Sequence, residues 1–105
     1  MPQFAVYKNR NAETRARFPL LLDVQSDLLE PLSTRVVVPL SPIATARDVA
    51  MKQLAPILTI DGKQYVMVTP QLAGVSAREL GQSIGNVANE RATIIAALDL
   101  LITGI

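Results

Sequence analysis

The chain has 105 residues, a length that suits one domain, expected over residues 1–105, and is short for two. It contains no Cys and no His, which excludes disulfide staples, thiol nucleophiles, nearly every zinc site and imidazole acid/base chemistry. Half of the residues are hydrophobic and 18% are charged, an apolar surplus that points to an oligomer interface, and the net charge is only +1.

That charge is unevenly placed. Lys8, Arg10, Arg15 and Arg17 against Glu13 give residues 1–20 a balance of +3, which leaves −2 for the remainder of the +1 chain. Four cations without interleaved aromatics make a poor nucleic-acid platform, and a solvated loop is the plainer reading. Carboxylate-only metal binding would need a spacing that Asp23, Asp27, Asp48, Asp61 and Asp99 do not show. No apolar run reaches the length of a membrane span and the N-terminal residues lack a signal-peptide pattern, so a cytoplasmic protein is expected.

In chain order, Gln3–Tyr7 is short and β-rich and reads as the first strand, and Lys8–Thr14 as a polar loop or hairpin end. Phe18–Val24 gives a second strand, with Pro19 near its start where proline does least harm. In Asp23–Leu29 polar and apolar groups crowd together. Gln25, Ser26 and Asp27 are expected to satisfy backbone groups where the strand turns, and a catalytic pair at Asp23 and Asp27 lacks any neighbouring acid, base or nucleophile. Glu30–Ser33 is a turn. Thr34–Leu40 is the most β-branched run, a strand expected to end or bulge at Pro39, which cannot donate to a ladder. Residues 43–54 form a short helical turn or an irregular excursion.

Ile57–Ile60 and Gln64–Thr69 are strands joined by Asp61-Gly62, a strong hairpin signal. Leu72–Val75 reads as one more short strand, and Ser76–Gly85 as a linker. Gly74, Gly81 and Gly85 serve there as turn residues or allow close backbone approach. From Asn86 onward, Val87, Ile94, Ile95, Leu98, Leu101 and Ile102 keep the spacing of a helix that buries one stripe. Asn86 is placed to cap it, Glu90 lies in its first turn, and Gly104 stands where helices turn left-handed and stop. The expected fold class is mainly β with one long C-terminal helix, a small barrel or strongly bent antiparallel sheet covered by that helix.

No nucleophile is paired with a base, and no phosphate cradle is present in the sequence, so an enzyme is not expected. The blocks Leu22-Asp23-Val24-Gln25-Ser26-Asp27-Leu28-Leu29, Arg35-Val36-Val37-Val38-Pro39-Leu40 and Met67-Val68-Thr69, with the ending Gly104-Ile105, resemble the CcdB toxin family in the same order over essentially the whole chain. The resemblance implies an SH3-like barrel with a long C-terminal helix, a cytoplasmic homodimer, and the toxin half of a plasmid or chromosomal toxin–antitoxin pair. It implies binding to the DNA gyrase A subunit with trapping of the cleaved-DNA intermediate, and neutralisation by a CcdA-like antitoxin whose disordered C-terminal segment folds onto the toxin. No cofactor, metal or sequence-specific nucleic-acid binding by the toxin alone is implied.

The family's gyrase contacts fall on the last three residues, here Thr103, Gly104 and Ile105. Gly104 and Ile105 match a Trp-Gly-Ile ending, and Thr103 stands in the place of the Trp. Two other readings stay open: a MazF- or Kid-like endoribonuclease toxin, which shares the fold, and a relic that dimerises and binds antitoxin without poisoning.

Overall fold

The computed structural model describes residues 2–43 and 53–104. Seven strands and one α-helix follow in order: β1 (Ala5–Asn9), β2 (Leu20–Asp23), β3 (Thr34–Pro42), β4 (Ile57–Ile60), β5 (Lys63–Met67), β6 (Ala73–Ser76), β7 (Leu80–Asn86) and α1 (Arg91–Thr103). They form one antiparallel sheet in the order β4-β5-β3-β2-β1-β7, with β6 paired to the first half of β3. The sheet curls into a half-barrel, and the helix closes one side. The excursion at residues 43–54 lies largely outside the described residues.

Period-2 geometry explains the apolar runs in β1, β2 and β3. Val6, Leu20, Leu22, Val38 and Leu40 point to one face and pack with Phe4, Leu58, Met67, Ile94 and Ala97. Their sequence neighbours Ala5, Tyr7, Leu21 and Val37 point to the other face and pack with Leu80 and Val75. A sheet covered on both faces needs continuous apolar strands and not alternating ones. Both sets arise from the same three central strands.

β3 runs through Pro39 to Pro42. The expected break is absent because of where Pro39 points. Its carbonyl accepts from Val68 N at 3.0 Å, so the side of its missing N–H faces away from β2. That side is the seam where β3 changes partner, from β6 at Thr34–Val37 to β5 at Leu40–Pro42. Proline therefore removes no β2–β3 hydrogen bond, and Leu21 stays in register with it.

The β4–β5 hairpin turns at Asp61 (φ 53°) and Gly62 (φ 78°), the paired positive angles of a two-residue hairpin loop. The return strand is shorter than expected and gives way to a 3-10 turn at Thr69–Gln71, with Pro70 inside it.

Residues 76–85 hold more structure than a linker. Ala77–Glu79 form a 3-10 turn capped by the Ser76 hydroxyl, which accepts from Arg78 N at 3.3 Å. Leu80–Asn86 then form β7, paired with β1. Gly81 permits this pairing to close: a Cβ there would lie 2.9 Å from the Lys8 carbonyl oxygen. Gly74 and Gly85 sit in strands with open space around their Cα atoms, so neither is a turn residue.

Asn86 ties the end of β7 to the helix. Its Oδ1 accepts from Ala88 N at 2.7 Å and its Nδ2 donates to the Gln3 carbonyl at 3.2 Å. That first bond meets the opening N–H of a 3-10 turn at Ala88–Glu90, whose cap residue is Val87, and α1 begins only at Arg91, later than the sequence suggests. Glu90 is therefore the helix cap residue and makes no side-chain cap hydrogen bond.

Candidate functional site

Among the described residues, large apolar side chains gather at the surface in two places. The first is the end of α1. Ile94 and Ala97 are fully buried and Ile95 and Leu98 half-buried, but the packed stripe stops there. Leu101 is 37% exposed and Ile102 74%, which corrects the expectation that the buried stripe ends at these two residues. The last turn leaves Ile102 open to solvent and Leu101 only partly covered among the described residues.

The stop itself is as expected. Gly104 takes φ 77° and ψ 15°, and its N–H donates to the Leu100 carbonyl at 3.1 Å. A left-handed residue here reverses the chain direction at little cost for glycine. Thr103 is exposed and turned back on the helix, its hydroxyl donating to the Asp99 carbonyl at 2.7 Å. Thr103 and Gly104 thus stand together at the exposed tip; Ile105 lies outside the described residues.

The second place is the segment after β2, which sequence reasoning assigned to backbone satisfaction and did not single out as a surface. Leu28 is 90% exposed, and Leu29 and Leu32 are about half exposed. The available signal was two adjacent leucines following Ser-Asp, outside any strand or helix period that would bury them.

The polar residues around these leucines anchor the segment from below. The Asp23 carboxylate is buried, with Oδ1 accepting from Gln25 N at 3.0 Å and Oδ2 from Arg35 Nε at 2.9 Å and Nη2 at 2.8 Å. Gln25 Nε2 donates to the Leu29 carbonyl at 3.1 Å, and its Oε1 accepts from Val36 N at 3.0 Å. Ser26 Oγ accepts from Leu28 N, and Asp27 Oδ1 from Gln3 N at 2.7 Å. The expectation that Gln25, Ser26 and Asp27 satisfy backbone groups holds at each of them. Asp23 and Asp27 do not act as a pair, since each is bound to a different part of the scaffold.

Burial pushes the Asp23 carboxyl above its usual range, while the Gln25 N–H and the Arg35 guanidinium oppose the rise. Tyr7 is pushed up as well, first by burial and then by the Asp23 charge, with Arg35 acting the other way. Among the described residues no group of three acidic, His or Cys side chains could hold a metal ion.

The model of the family described as CcdB protein matches residues 3–104, nearly the whole chain. The chain belongs to the CcdB family. It is therefore a toxin of the toxin–antitoxin kind, built on the half-barrel and helix described above. The matched range includes both apolar sites, Leu28–Leu29 and the end of α1, and reaches Gly104. No helix among the described residues of this CcdB-family chain is long and apolar enough to cross a membrane.

Proposed function

We propose that this CcdB-family toxin binds the A subunit of DNA gyrase through Thr103, Gly104 and Ile105, and poisons the enzyme by trapping its cleaved-DNA complex. The observation that carries the reading is the uncovered last turn of α1. Leu101 and Ile102 are left exposed above a left-handed stop, a poor arrangement for a free monomer and a good one for a partner's pocket. Leu28 adds a second apolar anchor on a turn whose backbone is already fixed, so little ordering entropy is lost when it docks. The toxin works as a homodimer in the cytoplasm, as one domain, performs no catalysis of its own and is neutralised by a CcdA-like antitoxin.

The test is gyrase-mediated cleavage of supercoiled DNA in the presence of purified toxin. Accumulation of linear, gyrase-linked DNA is expected. Normal religation at saturating toxin would overturn the reading. A second reading, a relic that folds and binds antitoxin but spares gyrase, is favoured by one observation: Thr103 spends its hydroxyl on its own helix and offers far less apolar area than a Trp. The same assay separates the two.

A further inference from the structure

None of the residues of the 3-10 turn Asp27–Leu29 is buried, so the pose of Leu28 and Leu29 depends on polar contacts. Two of these contacts are local or wet. Ser26 Oγ accepts from Leu28 N at 3.2 Å within the turn itself. The contact between Asp27 Oδ1 and Gln3 N lies at the exposed surface, where water competes for both groups. The Gln25 side chain differs from both: it is buried, and it links the far end of the turn to a core strand.

Both ends of the Gln25 amide are in use. Nε2 donates to the Leu29 carbonyl at 3.1 Å, and Oε1 accepts from Val36 N at 3.0 Å. These partners fix the orientation of the amide, since a backbone N–H must meet its oxygen and a carbonyl its nitrogen. The Val36 carbonyl also accepts from Val24 N at 3.0 Å, so β3 holds the main chain just before Gln25 as well as its side chain. Below, Gln25 N donates to Asp23 Oδ1, and the Arg35 guanidinium holds the other oxygen of that carboxylate. The base of the Gln25 side chain is thereby fixed, and with it the reach of the amide. Few side chains could replace it: an ionised Glu accepts and does not donate, and Asn is one methylene short.

We propose that Gln25 is a positioning residue: its amide clamps the Leu29 carbonyl to β3 and so holds Leu28 in the pose that docks on the partner. The proposal rests on Leu28 being the second anchor of the proposed function, and it names what sets that anchor. The effect is entropic. Leu28 is 90% exposed, so the free fold gains little from where its side chain stands. With the clamp intact, a partner meets backbone that is already ordered. Without it, ordering even one residue of the turn at the moment of docking weakens affinity about tenfold. A Gln25 that served merely to satisfy Val36 N would change stability and leave the Leu28 share of binding intact.

The experiment uses the full chain with Gln25→Met, which keeps the side-chain length and removes both donor and acceptor. The milder Gln25→Asn takes its place if the first variant does not fold. Amide hydrogen exchange of the free protein is read first. The N–H groups of Leu29, Glu30 and Leu32 bond within the turn, to the carbonyls of Ser26, Asp27 and Leu29. Their protection should fall about tenfold, while amides of β1 and β2 keep theirs. Affinity for the isolated gyrase A subunit is then measured for Gln25→Met, Leu28→Ala and the double variant. Gln25→Met should weaken binding about tenfold in the wild-type background and have little further effect beside Leu28→Ala, because it acts through Leu28. Additive losses in that cycle, or turn protection that falls no further than that of β1 and β2, would each overturn the proposal. A wild-type chain that fails to bind the A subunit defeats the gyrase reading alone, and the exchange result then decides the clamp.

Discussion

Burying a carboxylate with a guanidinium takes both from water, and excellent geometry is needed to offset the loss. Asp23 and Arg35 meet that condition through two short contacts on one carboxylate oxygen, with the other taken by Gln25 N. Asp23→Asn offers one acceptor oxygen in place of two, so it should cost about 1–3 kcal/mol near neutral pH, read from urea unfolding, because a buried donor loses its acceptor. The same variant has a pH signature. The Asp23 carboxyl lies above its ordinary 3.8 in the folded chain, chiefly through burial. Between 3.8 and the raised value the folded state holds a proton that the unfolded state has released. This group's contribution is fully present below 3.8 and is lost as pH rises through the folded value. Unfolding free energies measured across mild acid should show a component that falls with rising pH, and Asp23→Asn should abolish it. A slope unchanged in the variant would place the titrating group elsewhere.

Gly81 gives a second test at this scale. Its missing side chain leaves room for the Lys8 carbonyl, a backbone atom that cannot swing aside, so Gly81→Ala should destabilise by about 1–3 kcal/mol. Gly85→Ala, in the same strand but facing open space, should be neutral or slightly stabilising. Equal thermal shifts for the two would remove the close approach as the cause.

Among the elements, α1 has the clearest division of labour. Its first two turns are held by Ile94 and Ala97, and its last turn has little to hold it. Truncation before Thr103 should leave the melting temperature within a few degrees, since the loss is of the order of 1 kcal/mol, the scale of cap changes. The truncated chain should no longer trap cleaved DNA, and Thr103→Trp should strengthen trapping. Retained poisoning in the truncated chain would move the gyrase contact to another surface.

The helix and most strands were legible because period and punctuation agree: Asp61-Gly62, the β-branched run at Thr34–Val38 and Gly104 each carry their own local chemistry. β7 was hidden. Leu80-Gly-Gln-Ser-Ile-Gly-Asn86 has low β-propensity and two glycines, and only its pairing with β1, more than seventy residues earlier, makes it a strand. Pro39 misled for a related reason, since its sequence neighbourhood says nothing of the seam it faces.

At the scale of the whole molecule, the surfaces left uncovered explain the apolar surplus of the composition. Leu28, Leu32, Ile57 and Ile102 are large apolar side chains at least half exposed in the monomer. Light scattering at micromolar concentration should return twice the 11.3 kDa chain mass, and a clean monomer would sink the dimer. The candidate site was half legible. Gly104 and Thr103 could be named from a resemblance, whereas Leu28 depends on which side chains the curled sheet leaves outside, and no local pattern records that.

The pairing of β1 with β7 also bears on how the toxin is made. β1 lies inside the sheet, between β2 and β7, and Val87 N donates to the Phe4 carbonyl at 2.9 Å to close that side. During synthesis the early strand must wait with one row of backbone groups unpaired until residues 80–86 have cleared the ribosome. At about 5–20 residues per second that delay lasts several seconds. Contacts of such long sequence separation also form slowly after release. For that interval the nascent chain exposes a strand edge and both apolar faces of an unfinished sheet, and α1, the last element made, is not yet there to cover one of them. A binding segment already present in the cell would thus meet the toxin before α1 exists.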